Sequence, residues 1–442
     1  MTYQEIINEA LKLGLEEVEI YANESISNNI SLFNSKVDTF SLKELSGLSI
    51  RGLYNNHMGY VYTESTTDED IKKSLHKLLE NAKNLSNDER EFIFDGKAVY
   101  QDVRPMEADF DKFTTKEKIE LLKEIETKTK NVDARIRLVQ PKYVENKSIT
   151  KIINSKGVNL ARKEEYCYLL LSVDASENDQ TTSGNGIDIN TSYEKLDVNN
   201  VIKDATEMAL NSLGAGFVKS GKYPIVFSRD AASDLLSAFG SMFSGENALK
   251  KMSILTDKIG VKFFGSNITI INDPFCKKAL AEYSFDDEAV PCQKIEVVKD
   301  GIFNTFLHSQ KTAAFFNTKS TGNGFKAGVQ GSIMVSPVNM YLKEGTKTKD
   351  EIIATVEDGL YVTDVTGLHA GLNPISGNFN VQSSGFLIKN GKLSSPVTLF
   401  VISGNFFELM NNVEEIGNDI KERFDGIVSP TLKVKSMSVS GK

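Results

Sequence analysis

The sequence predicts an α+β protein: mixed helices and antiparallel strands first, then a β-rich C-terminal domain with short helices. Three observations carry this. In the first half, apolar residues recur at helical spacing in some stretches and alternate with polar residues in others. After Ser220-Gly221-Lys222 the chain becomes richer in glycine and in short β-like runs. There Asp300-Gly301 and Asn390-Gly391 sit between apolar runs, and these dipeptides favour type I′ hairpin turns because both central residues need positive φ.

Taken in order, Tyr3, Ile6, Ile7, Ala10 and Leu11 form one helical face, stopped at Gly14. Val18, Ile20 and Ala22 alternate, and Ile30 and Leu32 continue the pattern after a Ser/Asn break. Residues 37–42, 48–53 and 60–63 read as further strands. A second helix presents Ile71, Leu75, Leu78, Leu79 and Ala82, and Asp68, Glu69 and Asp70 suit its N-terminus. Residues 86–113 lose all periodicity and read as a connector or irregular surface excursion. A helix over 115–130 follows, then strands over 134–144, 148–154, 159–174 and 186–192, with a polar hairpin tip at 178–185. The helix over 198–213 turns Val201, Ile202, Ala205, Met208 and Ala209 inward and stops at Gly214-Ala215-Gly216. This gives domains over 1–85, 114–219 and 220–442, with 86–113 as the connector. In the last domain an apolar strand over 223–227 feeds a small-residue helix that ends at Gly245. Short helices are expected over 309–316, 349–359 and 406–413.

The 442 residues can bury several cores. A net charge of -9, with no basic run, argues against a nucleic-acid binder that works by neutralising phosphates. No apolar run nears the roughly 20 residues that span a bilayer. The N-terminus lacks the basic and apolar regions of a secretory signal. Cys167, Cys276 and Cys292 are odd in number and far apart, without a CxxC, which points to a reduced cytoplasm.

Candidate chemistry is sparse. His57, His76, His308 and His369 form no HExxH, HExxxH or HxH cluster. His57 reads as a turn residue and His76 as a solvated one, while His308 and His369 could meet in space for metal or acid/base work, against a default of packing. Asp286-Asp287, with Glu282 and Glu288, could bind a divalent cation through oxygen; the favoured reading is a solvated loop before Pro291. The run 320–331 carries Gly322, Gly324, Gly328 and Gly331 but lacks P-loop spacing and the GxGxxG setting. Its glycines suit either a close backbone approach, as in a peptide groove that would include Gly322, Asn323, Gly324 and His308, or a plain turn.

The strand at 222–227 with its small-residue helix, the run Lys319-Ser320-Thr321-Gly322-Asn323-Gly324, the turn at 373–379 and the hairpin at 384–391 resemble the TldD/PmbA family, over nearly the whole chain. Residues 18–63 are similar to that family's first domain. The resemblance implies two branches. TldD-like members hold zinc with an HExxxH helix and a C-terminal cysteine and are peptidases. PmbA members, also called TldE, lack these ligands and pair with TldD; the name "modulator of DNA gyrase" also attaches to the family. Aligned on the glycine that ends the helix, Leu236 and Ser241 stand where the histidines would be and Ser237 where the glutamate would be. Residues 417–430 contain no cysteine. The resemblance therefore implies a non-catalytic PmbA/TldE-like subunit, with zinc only in a TldD-like partner and peptides or unfolded proteins as substrates. A homodimer in isolation fits the same picture, as do two rivals: a stand-alone peptide-binding module, and a hydrolase using His308 or His369. The expected place for Leu236, Ser237 and Ser241 is beside a cavity.

Overall fold

A computed structural model describes residues 1–85, 91–423 and 425–442. Residues 86–90, where the predicted connector begins, lie outside the described residues.

The first half builds one sheet. Its elements are α1 (Tyr3–Lys12), β1 (Glu17–Phe33), β2 (Lys36–Tyr54), β3 (His57–Thr63), α2 (Asp68–Asn84), α3 (Thr115–Lys130), β4 (Ile136–Asn154), β5 (Asn159–Glu177), β6 (Gln180–Asn190) and α4 (Val198–Ser212). Thr2 with Glu5, and Thr114 with Glu117, close capping boxes that satisfy the free N–H groups opening α1 and α3. The six strands run in the order β3-β2-β1-β4-β5-β6. Residues 1–85 and 114–219, divided in the sequence reading, thus give three strands each to one sheet. Antiparallel pairing of β1 with β4, Ile20 opposite Ile153, joins them. Helices α1 and α2 cover one apolar patch of this sheet, and α3 and α4 another.

Several strands are longer than their periodicity predicts. Residues 37–42 and 48–53 belong to one strand, β2, and 134–144 and 148–154 to another, β4. The expected tip at 178–185 shrinks to Asn178-Asp179, both at positive φ. The outer half of β2 is exposed on both faces, so backbone hydrogen bonds rather than burial hold it straight, and no alternation marks it. His57, read as a turn residue, opens β3 directly after the positive-φ pair Asn55-Asn56.

The second half comprises β7 (Gly221–Phe227), α5 (Arg229–Phe239), α6 (Gly245–Leu249), β8 (Ile270–Asn272), β9 (Ile295–Lys299), β10 (Ile302–Phe303), α7 (Gln310–Phe315), β11 (Gly324–Lys326), β12 (Ile333–Val335), β13 (Met340–Leu342), α8 (Lys349–Ala354), β14 (Asp358–Thr366), α9 (Leu368–Gly371), β15 (Asn378–Lys389), β16 (Lys392–Asn405), α10 (Phe406–Asn411), β17 (Val413–Ile416), β18 (Ile427–Val428) and β19 (Leu432–Ser440). Strands β16-β15-β14-β7-β19-β17 form one sheet, and a further β16–β19 pairing closes five of them into a ring. A second sheet runs β10-β9-β8-β13-β18. Both predicted Gly hairpins have two positive-φ residues, Asp300-Gly301 and Asn390-Gly391. The helix expected to reach Gly245 instead ends at Phe239. A 3-10 turn follows, and Ser244 caps a new helix, α6, that begins at Gly245. The helix expected over 349–359 stops at Ala354, and Asp358 and Gly359 open β14.

Candidate functional site: helix α5 and the cavity between the two halves

Strand β7 delivers α5 into the centre of the second half. Ser228 caps it, its hydroxyl accepting from the Ala231 N–H at 3.1 Å. Leu236 is fully buried, Ser237 half-buried and Ser241 exposed. The segment 427–431, at the end of the cysteine-free stretch 417–430, lies directly against this helix. The Ser429 N–H donates to Ser233 Oγ at 2.8 Å, and that hydroxyl donates to the Arg229 carbonyl at 2.6 Å. A side chain placed on Gly240 would touch Ile427 and Met340. The packing between helix and segment is therefore apolar, fixed by one serine. Zinc needs three or four N, S or O donors. Leu236 offers none, and the Ser241 carbonyl is already bonded to the Asn247 amide. The residues present do not fit a zinc ion. Ser233→Ala is expected to cost about 1–2 kcal/mol in urea unfolding, because it leaves the Ser429 N–H buried and unpaired.

Leu236, Ser237 and Ser241 do not line the large cavity nearby. Its wall starts further along, at Arg423, which binds Asp234 of α5 at 2.5 Å. Burial raises the Asp234 carboxyl, and Arg423 opposes that shift.

The acidic cluster is not a solvated loop. Glu282, Asp286, Asp287 and Glu288 are all buried, and the first sheet supplies arginines to meet two of them, Asp287 and Glu288. Arg51 on β2 reaches Glu19 through Nε at 2.8 Å and Glu288 through Nη1 at 3.3 Å. Arg162 on β5 reaches Asp287 at 2.9 Å. Lys277 pairs with Glu282 at 2.9 Å. Asp286 accepts from the Glu288, Val290 and Gly324 N–H groups. Burial first, then the Glu288 carboxylate, push Asp286 well above the usual range, against those three donors. Among the described residues no group of three or more His, Cys, Asp or Glu could hold a metal ion.

The start of the glycine run packs against neighbouring segments rather than lining an open groove. Gly322, Asn323 and Gly324 are buried, and none lines the large cavity. Gly322 sits at φ +70°, and a Cβ there would lie 2.4 Å from the Pro291 carbonyl, so only glycine fits. The Asn323 amide donates to the Ser336 carbonyl at 2.8 Å. His308 is 3 % exposed, packed near Phe306 and Phe316 and against Gly245. Its Nδ1 lies 3.2 Å from Thr312 Oγ1, and burial lowers its pKa to about 4. His369 is exposed on α9. Among the described residues no hydrogen bond or ring contact joins the two histidines.

What the topology does create is a cavity of about 1030 Å³ between the halves. The first sheet contributes Tyr21, Thr150 and Arg162; the second half contributes Tyr283, Phe325 and Lys326. Residues 91–113 strap the halves together, with Tyr100 Oη donating to the Ala289 carbonyl and Ser284 Oγ to the Gln101 carbonyl. Sequence reasoning flagged the run 320–331 but missed Phe325 and Lys326 inside it. Tyr21, Arg162 and Arg423 carried no local signal.

Three models of the same family match: "PmbA/TldA metallopeptidase domain 1" over 18–85, the "central domain" over 108–213 and the "C-terminal domain" over 220–441. A metalloprotease of Methanocaldococcus jannaschii is 26% identical over 429 residues, covering 94% of this chain and 93% of that protein. The crystal structure of a putative modulator of a DNA gyrase from Thermotoga maritima superimposes with a TM-score of 0.90 at 28% identity, covering 99% of this chain and 100% of that one. TldE from Thermococcus kodakarensis shares the fold, with a TM-score of 0.90 at 23% identity over 99% of each chain. With all three domain models matched in order, this chain belongs to the PmbA/TldD metallopeptidase family.

Proposed function

We propose that this chain is the metal-free, TldE-like subunit of a two-subunit peptidase whose zinc is held by a TldD-like partner, and that its cavity receives unfolded peptide. The observation that carries this reading is α5 and the turn after it: Leu236 and Ser241 stand at the two histidine positions and Ser237 at the glutamate position, and residues 417–430 bring no cysteine. A helix that offers leucine and serine at the ligand positions supports binding or assembly rather than zinc-dependent hydrolysis by this chain alone.

An open strand edge supports pairing with a second chain. The part of β2 that precedes its pairing with β3, residues 36–47, has hydrogen-bonded neighbours only on the β1 side. Phe40 and Leu42 there are 57% and 60% exposed. An open, apolar strand edge favours pairing with another chain. The three free cysteines support a cytoplasmic setting. Among the described residues no helix is long and apolar enough to cross a membrane.

The test is reconstitution. The purified chain is expected to leave unfolded casein intact, and a mixture with a zinc-loaded TldD-type relative to cleave it. Phe40→Lys with Leu42→Lys is expected to reduce cleavage by the mixture. Stoichiometric zinc on the purified chain, or a mixture no more active than the partner alone, overturns the proposal.

A further inference from the structure

Most charged groups lining the large cavity are already paired. Arg162 holds Asp287, Lys294 holds Asp273 at 2.7 Å, and Lys278 holds Glu344 at 2.8 Å. Lys326 is the exception that is also sheltered. Its Nζ donates to the neutral hydroxyl of Ser49 at 2.6 Å and sits 5.1 Å from the Tyr21 ring centroid. Among the described residues no carboxylate lies within ion-pair distance of it, and its own backbone N–H is the group that Asp287 engages, at 2.9 Å. An ammonium has three donors, so Lys326 keeps capacity for an anionic acceptor entering from the cavity. Phe325 and Tyr283 beside it, 5.9 Å apart edge to face, supply an apolar wall.

We propose that Lys326 anchors a carboxylate of a peptide held in this cavity, making the chain a selector for peptides that bring a negative charge to that point. The proposal rests on the reading that the cavity receives peptide. The groups around the amine agree with it. Burial first, then the like charge of Arg51, lower its pKa to about 8, while Asp287 and Glu19 oppose the shift. Tyr21, held up to about 12 by burial, stays neutral. Neither Ser49 nor Tyr21 brings a negative charge to the amine, and an incoming carboxylate would supply one. The preference should fade between pH 7 and 9.5 as the amine loses its proton.

The experiment measures binding of dye-labelled tetra-alanine to the full chain by fluorescence anisotropy. Three forms of the peptide are compared: the free acid, the C-terminal amide, and an amide with one alanine replaced by aspartate. The free acid is expected to bind about tenfold more tightly than the plain amide. An equal gain from aspartate assigns the site to any carboxylate; no such gain assigns it to the peptide C-terminus. Lys326→Met should abolish the preference and Lys326→Arg should keep it. Ser49→Ala, which frees the amine without removing its charge, should keep it too and controls for folding. Equal binding of acid and amide, or a preference that survives Lys326→Met, overturns the role of Lys326 alone. Binding of neither peptide overturns it together with the peptide-receiving reading.

Discussion

Arg51→Met is expected to destabilise the protein by about 3–5 kcal/mol, seen as an early unfolding transition in urea. Arg51 is buried between Glu19 of its own sheet and Glu288 of the second half. Removing it leaves two buried carboxylates with no cation, which costs more than the pair contributes while intact. The damage should concentrate where the halves meet, so hydrogen exchange should rise first around Glu288 and the Gly322–Gly324 turn. A companion variant separates charge from packing. Adding Glu19→Gln and Glu288→Gln removes the stranded charges, and most of the lost stability should return. A loss under about 1 kcal/mol for Arg51→Met alone, or no recovery in the triple variant, contradicts this account.

The second large effect is a pH dependence carried by His308. Its folded pKa is about 4, depressed by burial from 6.5. The folded state therefore binds the proton less well than the unfolded chain does. The stability held by neutral His308 is fully present above pH 6.5 and drains away as the pH falls towards 4. The whole displacement is worth about 3 kcal/mol. His308→Gln keeps similar bulk beside Phe306 and Phe316 but cannot titrate. It is expected to lower stability somewhat at pH 7 and to flatten the decline between pH 6.5 and 4 by about 3 kcal/mol. Parallel curves for wild type and His308→Gln over that range would show that burial of His308 carries no such cost.

The amphipathic helices were legible from the sequence because each buries one face. Ile71, Leu75, Leu78, Leu79 and Ala82 are all buried in α2, where the 3.6-residue period placed them. The two Gly hairpins were legible because positive φ leaves a chemical signature. Strand lengths were not: the outer half of β2 carries no burial pattern, so its continuity depends on the ladder to β1. The end of α5 and the start of α6 were hidden for a different reason, since the 3-10 turn Gly240–Phe243 between them buries Met242 and Phe243 as a continuing helix would.

The acidic cluster teaches the same lesson at the candidate site. Asp287 and Glu288 look solvated in sequence because their arginine partners lie more than a hundred residues away. Charge is local in a sequence, but its neutralisation is tertiary, and a buried carboxylate survives only where folding brings its partner.

By itself, the sequence determined that Leu236, Ser237 and Ser241 supply no histidine, carboxylate or thiolate, since a leucine side chain has no donor atom and a neutral serine hydroxyl is not among the imidazole, thiolate and carboxylate ligands that hold zinc. It also determined the secondary-structure menu and the turns that only glycine can make. The tertiary structure alone decided that Gly322 packs on the backbone of Pro291 and Cys292 and Gly324 on the Glu288 side chain rather than lining an open groove, and that His308 is buried beside Phe306, Phe316 and Gly245. It also set Lys326 across from Tyr21 and Ser49 of the other half. The contact of Lys326 with Ser49 joins residues 277 positions apart, which no local pattern can record.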